Sequence, residues 1–149
     1  MRTERDTLRD TNLFASTVAD AHRWIDEVCG ELDWLDRRDG LHALRAALHV
    51  LRDRLSVEQN AHLSAQLPTL IRGLYFEGWR PGGGQHVERT LERYTQELED
   101  ALDGRSIDVE PVDVARAVHA VLARHVSGGE VRKIVATLPH QLRVLWEGD

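Results

Sequence analysis

Apolar residues return every three or four positions along most of the chain. Phe14, Val18, Ala21, Ile25, Val28 and Leu32 step by four, three, four, three and four, which sets them on one helical face. Asp20, Arg23, Asp26 and Glu27 occupy the other face. Leu41, Leu44, Leu48, Leu51 and Leu55 mark a second helix, with Asp39 as its expected N-cap. Ser56-Val57-Glu58-Gln59 reads as a capping box opening a third helix. Pro68 suits the start of a fourth, carrying Leu70, Ile71, Leu74 and Tyr75, because a first-turn N–H would be unpaired anyway. The run Gly78-Trp79-Arg80-Pro81-Gly82-Gly83-Gly84 stops any helix. Beyond it the period resumes at Val87, Leu91, Tyr94, Leu98 and Ala101, and breaks again at residues 103–106. Pro111 opens a further helix with Val114, Val118, Val121, Leu122 and Val126. Ser127-Gly128-Gly129-Glu130 reads as a second capping box, and Leu138-Pro139 opens a last helix with Leu142, Leu145 and Trp146. The named stripes are expected to be buried, and no segment alternates as a strand does.

The two halves share an offset. Ser56 and Ser127 lie 71 residues apart, as do Leu67-Pro68 and Leu138-Pro139, Val50-Leu51 and Val121-Leu122, and Arg72 and Arg143. The first helices align at 73, so the first loop is two residues longer. The pattern predicts an all-α protein of two tandem, internally duplicated four-helix units, residues 13–80 and 86–149, joined through 81–85.

Composition narrows the class. The 149 residues are 42% hydrophobic and 30% charged, a globular balance able to bury a core. The net charge of −6 argues against a nucleic-acid binder. The lone Cys29 forms no internal disulfide and no cysteine-rich zinc site. The N-terminal residues are too charged for a signal peptide, and no apolar run reaches spanning length, so a cytoplasmic protein without membrane contact is expected. Lys133 is the only lysine, and the arginines are scattered among acids, which reads as coding bias.

Three stretches carry a resemblance: residues 51–56, Leu-Arg-Asp-Arg-Leu-Ser; residues 65–68, Ala-Gln-Leu-Pro; and residues 72–79, Arg-Gly-Leu-Tyr-Phe-Glu-Gly-Trp. Together with Val126 to Glu130 and Leu138 to Trp146 they resemble the bacterial family DUF2267, over about residues 13–147. The resemblance implies an all-helical bacterial protein. It brings no established activity and therefore no catalytic residues. The stress-type and nucleotide-sensing domains fused to some relatives suggest a stress association.

Candidate chemistry is sparse. His42 and His49 share a helix face seven apart, without the His-Glu-x-x-His spacing of a helical zinc pair, so no metal is expected. Cys29 adjoins the apolar stripe and reads as a small hydrophobe. Gly82 to Gly84 lack the lysine of a phosphate loop, and Gly128-Gly129 read as a turn. No cofactor is expected. Residues 88–113 hold nine acids against three arginines, a solvated face or a docking surface for a basic partner. Tyr75 and Trp146 match at offset 71 and are expected at equivalent packed positions, while Arg72 and Arg143 are expected to fix the packing of the repeats. Phe76, Trp79 and Arg80 belong to one half alone and are the residue types that anchor interfaces. The expected function is a non-enzymatic protein-interaction or adaptor module, with these three residues contacting an unidentified protein. The alternative is a small-molecule-binding regulatory module with a cleft between the repeats, lined by Arg72, Arg143 and aromatics.

Overall fold

A computed structural model of the chain describes residues 3–82, 88–102 and 108–147; the side chains of residues 6–11 and 13 lie outside the description. Eight helices and no strand occur among the described residues. They are α1 (Glu4–Leu32), α2 (Arg37–Arg52), α3 (Val57–Ser64), α4 (Thr69–Tyr75), α5 (Leu91–Leu102), α6 (Pro111–His125), α7 (Gly128–Thr137) and α8 (His140–Arg143). A closing 3-10 turn, Val144–Trp146, follows α8. Val87, the break at 103–106 and most of the expected join at 81–85 fall outside the described residues.

Two helices sit at the centre. α2 buries Ala43, Leu44, Ala47, Leu48 and Leu51, and α6 buries Val114, Val118, Val121 and Leu122. They pack on each other; α1 packs against both, and so does α5. Burial is continuous from Ala21 to Leu145 in one apolar cluster. Small residues let α1 and α2 come close. A Cβ on Gly40 would stand 2.4 Å from the Cys29 Sγ and 3.1 Å from the Ile25 carbonyl oxygen.

Several expectations require correction. Phe14 and Val18 are 69% and 43% exposed, not buried. At 1.5 Å per residue the 29-residue α1 is about 43 Å long, and its first turns run past the helices that cover Ala21, Ile25 and Val28. Leu70 is 47% exposed, and Ala101 is exposed, with Leu102 buried beside it. The N-cap of α2 is Asp36, whose side chain accepts from the Arg38 N–H; Asp39 lies inside the first turn. Gly128 and Gly129 are the first two residues of α7 and not a turn. Pro68 and Pro139 stand one place earlier than expected, at the N-caps of α4 and α8.

Polar residues finish the helix ends. Ser56 and Gln59 form the full capping box at α3. At α7, Ser127 Oγ accepts from the Glu130 N–H, but the Ser127 N–H donates to Gln66 Oε1 at 2.7 Å instead of to Glu130. The box is thus completed from α3's end of the molecule. Arg72 donates to the carbonyls of Ser64, Ala65 and Leu67, and Arg143 to those of Ala136 and Leu138. Each guanidinium satisfies C-terminal carbonyls that the preceding helix leaves open.

Candidate functional site

Phe76, Trp79 and Arg80 follow α4, and the structure sets the rings of Phe76 and Trp79 against each other. Their root is deep. Asn60 is buried and donates to the carbonyls of Arg52 and Leu55, while its Oδ1 accepts from the hydroxyl of Tyr75. Burial also raises the Tyr75 hydroxyl far above its ordinary pKa, so it remains a donor. Phe76 meets Tyr75 edge-on at 5.1 Å between ring centroids, and Trp79 lies against Phe76 at 5.0 Å. Gly78 adopts a φ of +67°, which only glycine takes without strain, and the Trp79 N–H returns to the Phe76 carbonyl at 3.1 Å. The series runs from a buried amide to a half-exposed indole, with Arg80 exposed beside it. Arg52 fixes the same segment, donating to the carbonyls of Tyr75 and Glu77 at 2.9 and 2.7 Å.

A second feature escaped sequence reasoning. A cleft of about 440 Å³ opens between the end of α1, the α6 face and the closing 3-10 turn. Ala117, Ala120 and Ala123, three apart on α6, line it with methyl groups, and Leu32, Val109, Leu145 and Trp146 complete the apolar part. Glu31, Asp33, Asp113 and Glu147 supply carboxylates, and Arg116 supplies the basic group among the described lining residues. Arg72 and Arg143, expected to line such a cleft, do not reach it; their guanidinium groups are spent on helix-end carbonyls. The three alanines at one helical spacing were the available signal.

His119 lies under this cleft and is 2% exposed. Its Nδ1 donates to the Leu145 carbonyl at 3.2 Å, so its Nε2 accepts from the Tyr94 hydroxyl. Trp146 stacks on the imidazole at 4.1 Å, nearly parallel. Burial pushes the His119 pKa down to about 4, leaving the ring neutral near pH 7.

The other sequence candidates are occupied elsewhere. Cys29 is buried, and burial pushes its thiol up, away from the thiolate. His49 is half-buried, with its pKa lowered by burial, and donates to the Leu74 carbonyl at 2.7 Å. His42 stays on the same helix, and no group of three His, Cys, Asp or Glu side chains among the described residues is placed to hold a metal. His125 stacks on Trp24 and pairs with Glu27 at 2.5 Å, while Arg124 pairs with Glu27 and Glu31, tying α6 to α1. In the acidic stretch, Glu97 pairs with the buried Arg54, whose guanidinium also lies over the Tyr94 ring. Among the described residues no helix is long and apolar enough to cross a membrane.

A comparison with curated proteins finds no match. The family model described as "Uncharacterized conserved protein (DUF2267)" matches residues 21–145, which takes in α2 to α8, the aromatic segment and the cleft lining except Trp146 and Glu147. The chain therefore belongs to the DUF2267 family, as the motifs around Ser56, Leu67-Pro68 and Arg72 imply.

Proposed function

We propose that this protein works by binding another protein through Phe76, Trp79 and Arg80, as a cytoplasmic interaction or adaptor module and not as a catalyst. The observation that carries this reading is the aromatic series from Asn60 through Tyr75 and Phe76 to Trp79. An indole held in place before contact loses little freedom on binding, which is what makes Trp beside Arg an effective anchor. The reactive candidates support a non-catalytic role, since the thiol of Cys29 is buried and both His119 nitrogens are engaged. A stress association rests on the family's company alone.

We further propose that the chain is an internal duplication. Arg72 and Arg143 reach equivalent carbonyls, Ala65 with Ala136 and Leu67 with Leu138. The pairing of α1 with α6 mirrors that of α5 with α2. The bonds Gln59–Thr137 and Gln66–Ser127 join the start of each of α3 and α7 to the finish of the other, an arrangement compatible with a pseudo-two-fold axis.

The test of the interaction reading is quantitative pull-down from the native organism with wild type and a Trp79→Ala, Arg80→Ala variant. The variant should keep its thermal midpoint and lose a specific partner; retention of every partner contradicts the reading. A second reading, a small-molecule regulatory module, is favoured by the 440 Å³ cleft, a volume within the range of small-ligand pockets.

A further inference from the structure

We infer that the cleft between α1, α6 and the closing turn binds a small organic cation, an ammonium or guanidinium group on an apolar stem. The inference rests on the second reading above, that the cleft takes a small molecule.

The charge of the lining is one-sided. Four carboxylates face one guanidinium, and they come from three separate parts of the chain: Glu31 and Asp33 at the end of α1, Asp113 on α6 and Glu147 after the turn. Glu31 is neutralised by Arg124. Asp33, Asp113 and Glu147 make no ion pair with another described residue. His119, neutral near pH 7, adds no opposing charge. The rest of the lining is mainly apolar: the three alanines of α6, Leu32, Val109, Leu145 and the indole of Trp146. A bare metal ion would leave that apolar part uncovered. An organic cation would cover it with its stem, and a tryptophan is the best aromatic neighbour for such a group.

The first half of the chain explains why the space exists. At the proposed offset of 71, Ala120 and Ala123 stand where His49 and Arg52 stand in α2. His49 and Arg52 fill their place with their own rings and charges, bonding the carbonyls of Leu74, Tyr75 and Glu77 at the end of α4. Arg52 is 6% exposed, a buried cation supplied by the chain itself. In α6 both side chains are cut back to methyl groups, and Leu145 and Trp146, the counterparts of Leu74 and Tyr75, border an open cleft. The counterpart of the Leu74 carbonyl, that of Leu145, is taken by His119, so the groups that a cation entering this space meets are the carboxylates of the lining.

The experiment is proton–nitrogen NMR titration of the intact protein, with benzylammonium as the cationic probe and benzyl alcohol as its neutral counterpart. Benzylammonium should give saturable shifts at the Trp146 indole N–H and the Ala117 and Ala120 amides. An Asp113→Asn, Glu147→Gln variant should bind about tenfold more weakly, two charge-assisted contacts being lost. Ala123→Arg, which returns a guanidinium to the cleft, should abolish the shifts; spectra elsewhere report that both variants stay folded. Equal binding of benzyl alcohol overturns the cation assignment while leaving the cleft a small-molecule site. Absence of saturable shifts with both probes overturns the assignment and the second reading together. Unchanged affinity in either variant also overturns the assignment.

Discussion

His119 is held between the Leu145 carbonyl and the Tyr94 hydroxyl, which fixes the neutral tautomer. In the unfolded chain histidine titrates near 6.5, against about 4 here. Between those values the unfolded chain takes up a proton that the folded chain refuses. Stability is therefore full above the unfolded value and falls as pH drops through this window, by at most about 1.4 kcal/mol per pH unit from this residue. The depressed His49 acts in the same direction. Burial works to raise Glu27, but hydrogen bonds from His125 and Arg124 outweigh it and hold the carboxyl below its ordinary range, so Glu27 adds its loss at lower pH. Denaturant melts across the window should slope, and His119→Gln should flatten the slope; an equal slope in the variant contradicts the assignment. Gly40 gives a second residue-scale prediction. Alanine normally stabilises a helix interior relative to glycine by roughly 0.5–1 kcal/mol. Here Gly40→Ala should destabilise by about 1–3 kcal/mol, because the new methyl meets the Cys29 Sγ. A Cys29→Ala change in the same chain should recover part of the loss, and midpoint measurements on the pair check it.

Helices with both a stripe and a cap were legible at the scale of elements, and their ends less so. The capping box at Ser56 was readable because serine and glutamine act within one turn. The one at Ser127 was half readable, because its second donor bonds to Gln66, far away in sequence. Asp36 was passed over for Asp39 because Arg37 and Arg38 give the first turn no apolar signal. Periodicity located the face of α1 but not how far the globule covers it, since coverage depends on the lengths of other helices. Two outcomes follow. Ser56→Ala and Ser127→Ala should each cost about 0.5–2 kcal/mol, read from thermal or denaturant midpoints. Ile25→Ala should cost about 2–5 kcal/mol, whereas Phe14→Ala, on the overhanging turns, should stay within about 0.5 kcal/mol. Equal costs at positions 14 and 25 would contradict the exposed start of α1.

At the scale of the molecule, the all-helical class was readable from period alone, and the family from a few capping and proline motifs. The aromatic segment could be singled out because Phe76 has no counterpart at Glu147. The cleft could not, because it is made by small side chains on α6 and by segments far apart in sequence that only packing brings together. Duplicated parts serve the fold on this view, and the places where the halves differ serve binding. Arg52 against Ala123 and Phe76 against Glu147 are two such differences. The central claim, that Trp79 is a contact point for another protein, is tested most directly by photo-crosslinking in the native organism. A benzophenone amino acid is placed at position 79 and, as a control, at Leu35, which is fully exposed in the loop after α1. The prediction is a discrete protein adduct at position 79, identified by mass spectrometry and missing at position 35. No adduct at 79, or the same adducts at both positions, would contradict it.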